Sequence, residues 1–243
     1  MQAQAQSNHR FDFKVESVQV TCSRCGKVGE LISMFGIVPT VCTECALAAQ
    51  AEQDAAAKRR RFEERMETSG IPPLPLQFPP VDAEVVKSTL EGGRGLYLWG
   101  PTGTGKTVMA THVARQFLER DVGNVYFVMA RRLVLEAQST YSPRSAVTPL
   151  EYADRLSRVS LLVVDDFGRQ KASDDAKQII FDVVDQRCKF MRKTVFTSEF
   201  SLSAIEKVMD AAFAGRIAES CAVVNLNGRN LRLPDMTNRG GQE

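Results

Sequence analysis

The sequence predicts an α/β fold, with a core built on a central parallel sheet and a small cysteine-bearing module ahead of it. Three observations carry this expectation. Apolar runs of strand length at 95–99, 124–129, 159–165 and 194–198 alternate with helix-patterned stretches. A glycine-rich octapeptide follows the first of those runs directly. Two Cys-x-x-Cys pairs lie upstream of the whole array.

In chain order the cysteines come first. Cys22-x-x-Cys25 and Cys42-x-x-Cys45 are separated by sixteen residues, which suits a tetrahedral four-thiolate zinc ribbon, with Gly26 helping to close the first knuckle. A closed site of that kind stabilises folding and does no chemistry, because no coordination position is open. Redox-active pairs or disulfides are the alternative reading, and Cys188 and Cys221 stand alone in apolar surroundings.

Stretch 46–67 is rich in Ala, Glu, Gln, Lys and Arg and holds no Gly or Pro, which predicts a helix leading out of the module. Within it Lys58-Arg59-Arg60-Arg61 is followed at once by Glu63, Glu64 and Glu67 and reads as a solvated face, with a nucleic-acid contact as the alternative. The run from Gly70 through Pro72, Pro73 and Pro75 to Pro79 and Pro80 ends the helix and marks an extended linker.

The octapeptide is Gly100-Pro101-Thr102-Gly103-Thr104-Gly105-Lys106-Thr107, a complete phosphate-binding loop, and all eight residues are candidate nucleotide contacts. Gly100, Gly103 and Gly105 let the backbone turn its amides inward around a phosphate. Lys106 supplies a point charge for the outer phosphates, and the Thr107 hydroxyl suits magnesium. Val108, Val113, Ala114, Phe117 and Leu118 then make an amphipathic helix whose N-terminal dipole favours the anion.

The apolar run 159–164 ends in Asp165 and Asp166, as expected where a buried strand delivers acid to magnesium at its C-terminal edge. Asp165 reads as the metal-side carboxylate, and Asp166 as positioner or general base for the attacking water. Asp166 is one methylene shorter than the glutamate many ATPases place there, which implies slow or assembly-dependent hydrolysis. A turn or helix cap is the plain alternative for paired Asp. Ala176, Ile179, Ile180, Val183 and Val184 repeat at helical spacing and read as packing within a helix at 175–187.

Composition limits the possibilities. At 243 residues, 44% hydrophobic and 25% charged, the chain holds one ordinary core and a small appendage. A formal net charge of +2 means that any nucleic-acid contact rests on local basic clusters. Residues 1–10 are polar without an apolar core, and no apolar run approaches bilayer length, so the expectation is a cytoplasmic protein with no membrane partner. His9 and His112 suggest no site.

The phosphate loop, the Leu-Leu-Val-Val-Asp-Asp-Phe-Gly run at 161–168 and Thr194-Val195-Phe196-Thr197-Ser198, at these intervals, resemble the DnaC, DnaI and IstB group of AAA+ ATPases. The likeness runs from about Gly70 to Arg232. It implies an AAA+ P-loop NTPase core with ATP, Mg2+ and Zn2+ as cofactors, self-assembly into a hexamer or spiral, and the loading of a replicative DNA helicase onto single-stranded DNA. An IstB-like transposition accessory ATPase, or a nucleotide-gated adaptor with little hydrolysis, are the alternatives. Thr197 and Ser198 occupy the sensor segment, but Glu199 stands where relatives usually carry asparagine, and near a phosphate it repels unless a metal or basic side chain bridges it.

Arg216 resembles the arginine that reaches a neighbouring subunit's ATP, with a helix-surface arginine as the plain alternative. Arg187 matches another arginine ahead of the sensor strand. Arg131 and Arg132 open a helix from which similar proteins project toward DNA, and Tyr141 with Arg144 adds a stacking and charge pair. Doubled arginine at a helix start is also ordinary surface solvation. Residues 222–226, Asn227-Gly228 and 230–233 read as a last hairpin. The expected organisation is a zinc ribbon at 1–50, helix and linker at 51–80, the ATPase domain at 81–233 and a disordered tail at 234–243.

Overall fold

The computed structural model describes residues 15–34, 38–73, 83–169 and 173–228. The chain separates into two compact units, Met1–Arg60 and Arg61–Glu243. In the first, β1 (Val15–Thr21) and β2 (Val28–Met34) form an antiparallel hairpin with Thr21 opposite Val28, and the turn between them carries Cys22 and Cys25. The second cysteine pair lies at the start of α1 (Thr43–Ser69), a helix slightly longer than the predicted 46–67. Residues 43–61 are mostly exposed, as their charged composition requires, whereas Phe62 and Met66 pack on the core of the second unit. The helix stops at Gly70 (φ 74°), where the predicted linker begins. Pro75, Pro79 and Pro80 lie outside the described residues.

The second unit alternates helices and strands as its periodicities dictate: α2 (Ala83–Glu91), β3 (Gly95–Trp99), α3 (Lys106–Glu119), β4 (Val125–Met129), α4 (Ala130–Ser139) and α5 (Pro149–Arg158) come first. They are followed by β5 (Leu161–Phe167), α6 (Asp174–Lys189), β6 (Lys193–Ser198), α7 (Leu202–Val208), α8 (Ala211–Ser220) and β7 (Cys221–Asn225). The five strands β3 to β7 pair in the order β4-β5-β6-β3-β7, all parallel. That order leaves β6 between β5 and β3, so the C-terminal ends of β5 and β6 lie beside the loop that follows β3.

The unbroken apolar runs are explained by burial of the sheet on both faces. In β5, Leu161 and Val163 join Leu96, Leu98, Val195 and the α3 residues Met109 and Val113 on one face. Leu162 and Val164 join Tyr97, Phe196 and the α6 stripe Ile179, Ile180, Val183 and Val184 on the other. Successive side chains alternate between faces, so a single apolar strand serves two cores. Helix starts follow local chemistry. Thr148 and Glu151 close a reciprocal capping box on α5, and Ser173 and Asp210 cap α6 and α8, each contributing about 1 kcal/mol.

One pairing was not expected from the sequence. Residues 221–225 form β7, a parallel strand added beside β3 with Cys221 opposite Gly95 and Asn225 opposite Trp99. Helix α8 runs directly into it and supplies the crossover that a parallel neighbour requires. The expected partner at 230–233 and the tail at 234–243 lie outside the described residues. Among the described residues, no helix is long and apolar enough to cross a membrane.

Candidate nucleotide site and cysteine cluster

The phosphate loop leaves β3 through Gly100, whose φ is 145° and where a Cβ would meet the Leu226 carbonyl oxygen at 2.4 Å. Only glycine fits that approach. The Gly100 N–H donates to the Ser198 carbonyl at 3.2 Å, and the Leu226 N–H donates to the Trp99 carbonyl at 2.7 Å, so the loop is tied to both neighbouring strands. Gly105 (φ 91°) caps α3, which presents the helix N-terminus to the loop's interior. Thr104 braces the turn by donating to the Pro101 carbonyl at 3.0 Å.

Lys106 is 7% exposed, and its Nζ donates to the Gly100 and Pro101 carbonyls at 2.8 and 2.7 Å, curled beneath the loop. The next residue reaches across the sheet edge: Thr107 Oγ1 donates to Asp165 Oδ1 at 3.0 Å. Asp165 is 8% exposed, and burial pushes its carboxyl above the usual carboxylate range against the pull of hydrogen bonds from Thr197 and Thr107. A hydroxyl and a partly desolvated carboxylate converging in this way form a hard oxygen pair suited to magnesium.

Asp166 takes a left-handed conformation, φ 60°, where the β5–β6 register shifts between Val164 and Phe167, and its side chain is exposed. Aspartate tolerates that region better than most residues. The Asp166 N–H donates to Thr197 Oγ1 at 3.0 Å, while Thr197 Oγ1 donates to Asp165 Oδ1 at 2.5 Å. Ser198 is fully buried; its Oγ donates to the Phe167 carbonyl at 2.7 Å and accepts the Phe200 N–H at 3.0 Å. Thr197 and Ser198 therefore stand at the expected strand end, but their hydroxyls turn into the sheet and fasten β5 to β6.

Glu199 has the basic neighbour it needs. Its Oε1 accepts from Thr102 Oγ1 of the phosphate loop and from Arg169 Nη1 at 3.3 Å. Arg169 was missed in the sequence, where its only signal is a position three residues past Asp166 on the loop after the adjoining strand.

The remaining arginines separate by burial. Arg216 is 36% exposed and held by Asp185 at 2.8 Å and Glu219 at 3.0 Å. Arg187 is 1% exposed and donates to the carbonyls of Leu156, Val159 and Lys193 and to Thr194 Oγ1, so it is a strut between α5, α6 and β6 with almost no surface to present outside the chain. Burial pushes its pKa down to about 9, still well above neutrality. Arg131 and Arg132 are exposed at the start of α4, with Arg132 paired to Glu136 at 2.8 Å. Tyr141 is exposed just beyond the far end of the helix, about 14 Å along the axis from them at the ordinary helical rise. Glu136 also accepts from the Tyr126 and Tyr152 hydroxyls at 2.7 and 3.0 Å, a staple across β4, α4 and α5 that the sequence did not reveal.

In the first unit, the sulfurs of Cys22, Cys25, Cys42 and Cys45 all lie within 4.8 Å of one another, with Cys25 and Cys42 at 3.8 Å. Sulfurs around a tetrahedral zinc stand about 3.8 Å apart at the usual Zn–S length, so the donor set fits that ion. Backbone N–H groups of Cys42 and then Cys25 pull the Cys22 thiol down to about 6, while hydrogen bonds to the Cys42 and Cys25 sulfurs push Cys45 up to about 12. Thiolates held this close repel one another, and a divalent cation would relieve that repulsion. Arg24 links the first knuckle to α1 through Glu52 at 2.8 Å.

Residues 87–238 match the family model described as IstB-like ATP binding protein. The chain is 26% identical over 155 residues to the replicative helicase loader DnaI of Bacillus subtilis (strain 168), covering 58% of this chain and 49% of that protein. It is 30% identical over 116 residues to the replicative helicase loader DnaC of Buchnera aphidicola subsp. Baizongia pistaciae (strain Bp), covering 46% and 47%. An ATP-binding protein of insertion sequence IS1162 from Pseudomonas fluorescens is 29% identical over 108 residues, covering 44% and 45%. The chain thus spans about half the length of the curated relatives it matches. Among solved structures, the crystal structure of the DnaC helicase loader matches with a TM-score of 0.55 at 17% identity, covering 62% of this chain and 94% of that one. The replication initiator DnaA bound to AMPPCP and single-stranded DNA matches with a TM-score of 0.56 at 16% identity, covering 66% and 52%. These likenesses establish the AAA+ P-loop fold.

Proposed function

Because the chain belongs to the IstB-like ATP-binding protein family over residues 87–238, we propose that it is an ATP-dependent helicase loader whose ATPase core works in an assembly. The observation that carries the nucleotide reading is the Thr107–Asp165 contact, which brings the end of the phosphate loop and the acid of β5 to one point. Bound ATP supplies phosphate charge and a hydrolysable phosphoanhydride. Gly100, Pro101, Thr102, Gly103, Thr104 and Gly105 cradle the phosphates with backbone amides. Lys106 would exchange the Gly100 and Pro101 carbonyls for the outer phosphates, and Thr107 with Asp165 would hold the magnesium. Asp166 orients the attacking water from its exposed position, and its short side chain keeps turnover slow. Arg216 acts on a neighbouring subunit's ATP, which makes hydrolysis depend on assembly.

Two curated relatives named replicative helicase loaders support the loading reading. In it the four-cysteine module holds zinc and grips the helicase, while Arg131, Arg132 and Tyr141 contact single-stranded DNA. The family description and the insertion-sequence relative favour a second reading, a transposition accessory ATPase with the same core. Pull-down with the full tagged chain and ATP separates them. Recovery of a hexameric helicase supports loading, recovery of a transposase supports the second reading, and failure to bind ATP would sink both.

A further inference from the structure

This inference rests on the nucleotide-binding reading above and deepens it. Because β6 lies between β5 and β3, the residue after its C-terminal end stands between the phosphate loop and the loop that follows β5. That residue is Glu199, and both loops reach it: Thr102 donates to its Oε1 from one side and Arg169 Nη1 donates to the same oxygen at 3.3 Å from the other. The Glu199 side chain is 23% exposed and that of Arg169 56%, so the carboxylate is partly desolvated while the guanidinium keeps an open face. A carboxylate at the mouth of an anion site repels the anion unless a cation stands beside it. The neutral donors at this strand end are spent elsewhere, since the Thr197 hydroxyl binds Asp165 and the Ser198 hydroxyl binds the Phe167 carbonyl.

We propose that Arg169 recognises the terminal phosphate of a nucleoside triphosphate, and that Glu199 holds it poised across the phosphate loop until that phosphate arrives. The guanidinium is planar, permanently charged and forked, so it exchanges a carboxylate oxygen for a phosphate oxygen without losing hydrogen bonds. A terminal phosphate carries more negative charge than one carboxylate and draws the arginine over. A diphosphate leaves the Thr102–Glu199–Arg169 chain closed. Glu199, a poor residue for touching phosphate, thus serves by positioning the residue that does.

Equilibrium titration of the full chain with a fluorescent non-hydrolysable ATP analogue and with ADP, each with magnesium, tests this. Arg169→Ala is expected to weaken triphosphate binding about tenfold, the size of a lost charge-assisted hydrogen bond, and to leave ADP binding within about twofold. Arg169→Lys recovers part of the loss, and Glu199→Gln binds the triphosphate at least as tightly as the unaltered chain. The deciding arm is Arg169→Ala in the Glu199→Gln background. A persisting loss supports direct contact; a loss that vanishes once residue 199 is neutral shows that Arg169 only offset Glu199 and overturns the proposal. Equal weakening of triphosphate and ADP also overturns it. If the unaltered chain binds neither nucleotide, the nucleotide-binding reading itself fails.

Discussion

Thr107 and Asp165, 58 positions apart in the chain, share a hydrogen bond of 3.0 Å where the phosphate loop meets the end of β5. Their meeting is produced by the strand order, and the proposed function makes the pair a magnesium site. Thr107→Ala and Asp165→Asn are each expected to weaken magnesium-dependent ATP binding by about tenfold or more, with a smaller effect in chelator. Isothermal titration with and without magnesium checks this, and identical losses in both conditions would remove the metal role.

The pairing of Arg216 with Asp185 at 2.8 Å leaves one-third of its side chain open. Arg216→Ala is expected to lower ATP turnover at least about tenfold at protein concentrations that support assembly, with ATP affinity unchanged. Mixing it with Lys106→Ala should restore part of the rate, because each variant supplies what the other lacks. Wild-type turnover by Arg216→Ala alone would confine the residue to its ion pairs.

Arg187 is a stability residue. Replacing it with Leu strands buried carbonyls of Leu156, Val159 and Lys193, each costing about 1–3 kcal/mol, for a predicted total of about 3–5 kcal/mol. Urea unfolding of the variant provides the comparison, and a loss under about 1 kcal/mol would contradict the strut assignment.

For the cysteine cluster, metal analysis of the purified chain should return about one zinc per chain, and Cys45→Ser should lower it and raise proteolysis of residues 15–50. A folded, metal-free module with reactive disulfides would favour the redox alternative instead.

Glu136 provides a pH signature. Burial raises its pKa, but hydrogen bonds from Arg132, Tyr126 and Tyr152 outweigh this and hold it below the ordinary value of 4.5. A carboxyl depressed on folding contributes stability above its unfolded pKa and loses it as pH falls through the folded one. The melting-temperature gap between the unaltered chain and Glu136→Gln should therefore be full near neutrality and shrink below about pH 4. A gap that stays constant down to pH 3 would mean the carboxylate's charge is not what matters.

The contiguous motifs were legible because their chemistry is local. Gly100 to Thr107 announces a phosphate loop through glycine spacing and one lysine, Asp165 follows an apolar run, and the four cysteines carry ligand spacing in their numbering. Strands buried on both faces were likewise visible as apolar runs at 95–99 and 161–164. The parallel pairing of β7 with β3 was not legible, because β3 lies more than a hundred residues earlier and no local signal names so distant a partner. Thr197 and Ser198 end β6, and nothing in their identity tells which way a hydroxyl turns.

What the sequence determined by itself is the phosphate-loop motif, the apolar strand that ends in Asp165 and the spacing of the four cysteines, because backbone turns, helix dipoles and ligand spacing act over a few positions. Tertiary structure alone decided how the arginines divide: Arg187 sealed inside, Arg216 held at the surface by Asp185, and Arg169 set against Glu199. An arginine's role depends on which carboxylates and carbonyls surround it and how much water remains, and those neighbours are supplied by strand order across the sheet.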